Sequence, residues 1–136
     1  MARKKISVQA VGKRKRAVAR ANAKVGTGKI FINNKLLDVY EPKLVRMFIS
    51  EPLVLAGQVS KRYDINVNVK GGGVFGQATA VRQAIAVALV EKDKTLKEKF
   101  LAYDRSLLIA DPRRTEPHKP SRSRAGPRRH KQRSKR

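Results

Sequence analysis

The chain has 136 residues and a formal net charge of +23 at pH 7, from 33 Lys and Arg against 10 Asp and Glu. This length favours one domain, and the absence of cysteine excludes disulfides, zinc–thiolate sites and thiol nucleophiles. No apolar run is long enough for a secretory signal or a membrane-spanning helix, so we expect a soluble, cytoplasmic protein.

The positive charge is concentrated at the two ends of the chain. Residues 1–24 contain nine Lys and Arg and no acid, whereas residues 25–111 contain thirteen against nine acids. Residues 112–136 contain eleven against one acid. A nearly balanced middle between two basic ends indicates a nucleic-acid partner. A membrane surface is the weaker alternative, because no amphipathic helix accompanies the charge.

The N-terminal part alternates apolar and polar residues, which is the pattern of β-strands. Residues 6–11 predict a short strand, and a turn is expected at residues 12–16, where one glycine precedes Lys13, Arg14, Lys15 and Arg16. Residues 17–25 predict a second strand with alanines on one face and a basic face that carries Arg20 and Lys24. Residues 30–32 predict a third strand, closed by two asparagines that tolerate left-handed backbone.

A helical region is expected next. Pro42 suits the first position of a helix, and Leu44, Met47 and Phe48 recur at helical spacing. Pro52 interrupts this pattern, so we expect a kink or two short helices that end near Gly57.

The second half predicts a strand at residues 63–70, a long helix at about 75–91 and a last helix at about 94–103. The expected buried side chains of the strand are Tyr63, Ile65, Val67 and Val69. Those of the two helices are Val74, Ala78, Val81, Ile85, Ala88 or Leu89, and then Leu96, Phe100 and Tyr103. An apolar run at 107–109 is expected to pack on the core.

This order of elements predicts an α+β fold, a two-layer sandwich of a mixed sheet with helices on one face. Composition divides the chain into a globular domain at 1–111, expected to bind nucleic acid, and an extended basic tail at 112–136. The tail has four prolines and one aliphatic side chain, so it cannot bury enough apolar surface to fold alone. An extended cationic segment of this kind is typical of one that binds a polyanion.

No arrangement of residues predicts catalysis, a cofactor or a metal. Gly71, Gly72 and Gly73 stand between a strand and a helix, a setting in which backbone N–H groups bind phosphate. The spacing is neither the Walker pattern nor GxGxxG, so a tight turn is the stronger interpretation and a turn facing an RNA phosphate the weaker one. Aromatic residues are few, so phosphate contacts should dominate over base stacking.

Five segments resemble the family of small-subunit ribosomal protein nine, in order and over nearly the whole chain. They are GKRKRAVARA (12–21), GTGKIFINN (26–34), GGGVFGQATAVRQAIAVALV (71–90), ADPRR (110–114) and SKR (134–136). The stretch DPRRTEPHKPS is similar to the archaeal and eukaryotic branch of that family.

The resemblance implies a fold like the second domain of small-subunit ribosomal protein five, with one left-handed crossover, although the general rule predicts a right-handed one. It also implies a place in the head of the small subunit, on ribosomal RNA and beside other head proteins. The end of the tail would contact the anticodon stem-loop of peptidyl-site transfer RNA through Arg133, Ser134, Lys135 and Arg136. A related fold in small-molecule kinases is the best enzyme alternative, but their catalytic pattern is missing here.

We therefore expect a structural constituent of the small ribosomal subunit, not an enzyme. The expected ribosomal-RNA-binding residues are Lys13, Arg14, Lys15, Arg16, Arg20, Lys24, Arg113, Arg114, Arg122, Arg124, Arg128 and Arg129. The alternative is a free nucleic-acid chaperone that uses the same charge without a fixed site.

Overall fold

The computed structural model describes residues 7–115 and 117. Its strands are β1 (Val8–Arg14), β2 (Ala17–Val25), β3 (Ile30–Ile32), β4 (Lys35–Leu36) and β5 (Tyr63–Lys70). Its α-helices are α1 (Lys43–Ala56), α2 (Val74–Lys92) and α3 (Leu96–Tyr103), with short 3₁₀ turns at Leu37–Val39, Gly57–Arg62 and Arg105–Leu107.

The five strands form one mixed sheet in the order β1-β2-β5-β3-β4. Only β3 and β5 are parallel, and the other neighbouring pairs are antiparallel. Helix α2 crosses β1 and β2 and packs against α1 on the same face. The predicted α+β class and the mixed sheet are confirmed, and the two-residue strand β4 is an addition that sequence periodicity did not predict.

The crossover from β3 through α1 to β5 is left-handed. Viewed from the helix layer with β5 running upward, Ile65 faces the viewer, and an L-residue in that position directs its own N–H and C=O to the viewer's right. Ile65 donates its N–H to the carbonyl of Lys29 at 3.0 Å, so the parallel strand β3 lies on the right. The chain therefore rises in β3, passes through α1 in front and enters β5 on the left. This is the hand that the family resemblance implied, against the general rule.

Small side chains bring α2 close to the sheet. The buried alanines are Ala17, Ala19, Ala21 and Ala23 on β2 and Ala78, Ala80, Ala84, Ala86 and Ala88 on α2. Gly12 is the extreme case, because a Cβ there would lie 2.0 Å from the carbonyl oxygen of Ala80. The predicted turn at residues 12–16 is therefore wrong in its extent: β1 continues to Arg14, and only Lys15 and Arg16 form the turn.

Helix α1 continues through Pro52 as one element and is followed by Gly57, which has a positive φ of 59°. The expected end is confirmed, but the alternative of two short helices is wrong. Pro52 is itself buried, so its ring contributes apolar burial on the core side of the helix. The buried face of the helix is also not the predicted one. Leu44 and Met47 are exposed, and the helix directs Val45 and Ile49 towards the core instead.

The expected inward side of β5 is confirmed, with Tyr63 only partly buried. On the helices, Val74 and Tyr103 are exposed, contrary to expectation, because they are the first residue of α2 and the last residue of α3. The other predicted helix positions are buried: Ala78, Val81, Ile85, Ala88, Leu89, Leu96 and Phe100. In the last apolar run, Leu107 is fully buried and Leu108 partly buried, but Ile109 is exposed, contrary to expectation.

Candidate nucleic-acid interface

The basic residues of the β1–β2 hairpin point to different surfaces. Lys15 and Arg16 form the two-residue turn, with Lys15 at a positive φ of 53°, and both are exposed. Lys13 is exposed on the sheet face opposite the helices, because it alternates with the inward-facing Gly12 and Arg14. The four consecutive cations of this segment therefore do not act as one cluster.

An open cleft of about 800 Å³ lies on the sheet face opposite the helices, at the hairpin end. It is lined by Arg16, Val18, Arg20, Asn33, Asn68, Lys70 and Gly71. Among these lining residues are three cations and no acid, so the cleft is electropositive. Two of its cations were predicted as RNA-binding residues.

Lys70 and Asn68 complete the cleft and were missed as site residues by sequence reasoning. Alternation alone places both on the exposed side of β5. Alternation does not reveal which residues lie next to them. Lys70 lies opposite Val18, and Asn68 opposite Arg20, because β2 pairs with β5, which is distant in sequence. Arg20 and Lys70 are diagonal neighbours, for which Cβ atoms are typically about 7–8 Å apart.

Lys24 is on the same sheet face but not in the cleft. It lies four residues beyond Arg20 along β2, or about 14 Å, and its register partner on β5 is Asp64. The structure therefore separates Lys24 from Arg16 and Arg20, with which the sequence grouped it.

The loop beside Lys24 binds a carboxylate of the same chain. Oδ1 of Asp64 accepts the backbone N–H groups of Thr27, Gly28 and Lys29, each at 2.9 Å. The Lys29 N–H, followed by the other two, holds the pKa of Asp64 below its ordinary value. Gly26 is needed here, because a Cβ would lie 2.1 Å from Oδ2 of Asp64. These three N–H groups already have an anion as partner.

The Gly71–Gly73 segment is a tight turn between β5 and α2. Gly71 and Gly72 have positive φ angles of 78° and 68°, and a Cβ on Gly71 would lie 2.6 Å from the carbonyl oxygen of Arg16. Gly73 precedes α2 without a side-chain cap. The turn interpretation is confirmed, and its packing against the hairpin places Gly71 at the rim of the cleft.

Arg14 and Arg113, both predicted to bind ribosomal RNA, share one carboxylate in the structure. Each forms an ion pair with Asp111. Arg114 is exposed. The predicted tail residues Arg122, Arg124, Arg128, Arg129, Arg133, Ser134, Lys135 and Arg136 lie outside the described residues.

Arg82, in the middle of α2, is a buried cation that the sequence reasoning did not single out. It forms ion pairs with Glu51 of α1 and Asp104 beyond α3, and its guanidinium lies 4.5 Å from the ring centroid of Phe48. The pKa of Asp104 lies below its ordinary value, mainly because the carboxylate accepts the backbone N–H of Ser106 and to a lesser extent because of Arg82. These contacts join three helical elements, so Arg82 has a structural role.

Two other kinds of feature are absent from the described residues. No group of His, Cys, Asp and Glu in residues 7–115 and 117 is arranged to hold a metal ion. Within the same residues, no helix has the length and apolar character needed to cross a membrane.

Comparison with known proteins identifies the class of this protein. Residues 12–136 match the family described as Ribosomal protein S9/S16. A protein of Methanococcus maripaludis strain C7 named small ribosomal subunit protein uS9 is 53% identical over 129 residues, covering 93% of this chain and 96% of its own. The protein of the same name from Methanococcus vannielii is 51% identical with the same coverage. The match thus extends over nearly the whole of both chains.

The chain is therefore a ribosomal protein. It belongs to the ribosomal protein S9/S16 family, as the five sequence segments indicated. Members of this family are structural constituents of the small ribosomal subunit rather than enzymes, and this constituent works in translation in the cytoplasm. The kinase and free-chaperone alternatives find no support in this membership.

Proposed function

We propose that the protein binds ribosomal RNA in the head of the small subunit through its basic cleft and its tail, beside other head proteins. We further propose that the tip of the tail contacts transfer RNA in the peptidyl site. The observation that carries the first proposal is the cleft, in which Arg16, Arg20 and Lys70 converge without an acid among the lining residues.

The cleft suits a nucleic-acid backbone better than a base. Its cations come from two neighbouring strands and the hairpin, so they are spread along a surface and can contact successive phosphates. Arg can bind a phosphate through two parallel hydrogen bonds, and Lys supplies a point charge. Among the described residues that line the cleft, Val18 is the only large apolar side chain and none is aromatic, so these residues offer a base no stacking platform.

We propose that other cations extend this interface. Lys13 and Lys15 are exposed beside the cleft, and Lys24 is exposed farther along the same sheet face. The turn of Gly71, Gly72 and Gly73 would face a phosphate of the RNA held there, since its first glycine is at the rim.

The tail proposal is supported by sequence composition and family membership. Its cations Arg113, Arg114, Arg122, Arg124, Arg128 and Arg129 would bind ribosomal RNA along its length. Arg133, Ser134, Lys135 and Arg136 would contact phosphates of the transfer RNA. A stretch of 25 residues reaches up to roughly 80 Å when extended, at about 3.3 Å per residue, which is ample for a distant target.

The cleft is tested by measuring the affinity of the full chain for a transcript of small-subunit ribosomal RNA at several salt concentrations. Arg20→Gln and Lys70→Gln should each weaken binding and lower the log–log salt slope by roughly 0.7–0.9, the loss expected for one phosphate contact. Lys97→Gln is the matched control, because Lys97 is exposed on α3, on the helix side of the sheet. Equal losses for all three variants would contradict a specific cleft and leave only diffuse attraction.

A further inference from the structure

We propose that Asp111 is a positioning residue, whose carboxylate fixes the start of the C-terminal tail to the end of β1 and sets the direction in which the tail leaves the domain. This inference rests on the proposed function, because the direction matters only if the tail has a defined RNA target. It assigns a role to a residue at the boundary between the balanced domain and the basic tail.

The carboxylate of Asp111 is shared by a residue of the domain and a residue of the tail. On the tail side, Oδ1 accepts the backbone N–H of Arg113 at 2.9 Å and its Nε–H at 3.1 Å. Oδ2 accepts Nε–H at 3.0 Å and Nη2–H at 2.7 Å. On the domain side, Oδ2 forms an ion pair with Nη1 of Arg14, the last residue of β1. One acid therefore links two cations that are far apart in sequence.

The domain half of this link is sheltered from solvent. The side chains of Arg14 and Asp111 are 18% and 22% exposed, whereas Arg113 is 77% exposed. A second contact holds the same end of β1, because Lys13 donates its backbone N–H to Oε1 of Gln83 on α2 at 2.9 Å. The link thus starts from a strand end that is itself anchored to the helix layer.

The conformation of the link is defined by backbone as well as charge. The Arg113 N–H bond to the side chain of Asp111 closes an Asx turn, and Pro112 between them has its φ restricted to about −65°. The side chain of Arg113, ahead of Arg14, holds the pKa of Asp111 far below its ordinary value, so the carboxylate is ionised near neutral pH. Residues 111–113 therefore leave the domain in one direction.

Charge alone argues against an acid at this position. The tail beyond it carries eleven cations, and a carboxylate at its start repels the same phosphates that they attract. A fixed start, however, reduces the conformational freedom that the tail must lose on binding, which strengthens association without a new contact. The two effects have opposite signs, so a substitution that removes the charge separates them.

The test compares the full chain with Asp111→Asn and the control Glu98→Gln, an exposed acid on α3. Both variants gain one unit of positive charge. We measure the affinity for a small-subunit ribosomal RNA transcript across salt concentrations. Asp111→Asn should bind several-fold more weakly than Glu98→Gln with an unchanged salt slope, because the phosphate contacts remain. An Asp111→Asn variant that binds as tightly as Glu98→Gln, or more tightly, overturns the inference.

A second matched pair tests the tail side without changing the domain side. Arg113→Gln and Arg114→Gln each remove one exposed cation from neighbouring positions, but only Arg113 contacts Asp111. Arg113→Gln should weaken RNA binding several-fold more than Arg114→Gln does. Equal losses would mean that both act as simple charges and would refute the positioning role, even if Asp111→Asn proved poorly folded.

Truncation after residue 111 distinguishes this inference from the proposed function. Among the residues that the structure describes, the buried core residues lie between Ala10 and Leu107, so the truncated domain keeps this core. If truncation weakens RNA binding and Asp111→Asn does not, only the inference fails. If truncation leaves the affinity unchanged, the tail does not bind this RNA, and the tail part of the proposed function fails with it.

Discussion

Replacing Arg82 with methionine should destabilise the domain more than the loss of any exposed cation. The Arg82 side chain is only 6% exposed, and its partners Glu51 and Asp104 are 31% and 39% exposed. Removing one partner of a fully buried ion pair typically costs about 3–5 kcal/mol, but solvent reduces this for partly exposed carboxylates. The contact with Phe48 adds about 0.5–1 kcal/mol. We expect a loss of about 2–4 kcal/mol in the free energy of unfolding.

The assay is urea denaturation of the full chain followed by circular dichroism, with Arg105→Met as the control. Arg105 is exposed, so its substitution should change the free energy of unfolding by less than about 0.5 kcal/mol. Adding Glu51→Gln to Arg82→Met should recover part of the loss, because the carboxylate of Glu51 then no longer lacks its partner. If Arg82→Met cost no more than Arg105→Met, the structural role assigned to Arg82 would be wrong.

Three further predictions concern the core, acid stability and the tail. Gly12→Ala should destabilise the domain by about 1–3 kcal/mol in urea denaturation, because the new Cβ would collide with the backbone of Ala80. Gly73→Ala should not destabilise it, because no atom lies within 4 Å of a Cβ at that position. Folding depresses the pKa of Asp64, so the stabilising effect of its carboxylate is complete above about pH 4 and is lost as the pH falls further. Below pH 4, the Asp64→Asn variant should therefore lose less stability than the wild-type protein. Equal losses of stability in the two proteins would contradict this. Removing residues 134–136 should leave subunit assembly intact but weaken the binding of transfer RNA to the peptidyl site by about 1–3 kcal/mol. If subunits that all carry the truncated protein released transfer RNA at the wild-type rate in a filter-binding assay, the proposed contact of the tip with transfer RNA would be refuted.

Local periodicity predicted the longer strands well because each of them has one buried face. Helix α2 differs, because every residue from Ala80 to Ala86 is buried. The alternation at residues 17–25 and 63–70 reports a sheet with one apolar side, and the structure confirms both. The errors have a common cause. Gly12 looked like a turn residue, yet it is required by the approach of α2, which is about seventy residues away in the chain. Pro52 is typical of a helix break, yet it lies inside α1, where its ring is buried in the core by tertiary packing that the local sequence does not reveal.

The candidate site was only partly predictable for the same reason. Arg16 and Arg20 stand in a conspicuous basic segment, so composition suffices to nominate them. Lys70 is an isolated cation whose significance comes from the pairing of β5 with β2. Conversely, Arg14 belongs to the same basic segment but faces the helix side and pairs with Asp111. Sequence spacing therefore identifies the charge available, and strand pairing decides which charges share a surface.

The close contact at Gly12 has a mechanical consequence for the tail. Side chains between packed elements can change rotamer under load, but at Gly12 the backbones of β1 and α2 meet with no side chain between them. Two residues farther along β1, Arg14 is joined to the tail through Asp111. Tension applied at residues 111–113 is carried by the covalent backbone, and the Asp111–Arg14 ion pair shares it with a strand that packs directly on a nineteen-residue helix. The start of the tail is therefore held beside a backbone-to-backbone contact, which has no side chain that could rearrange.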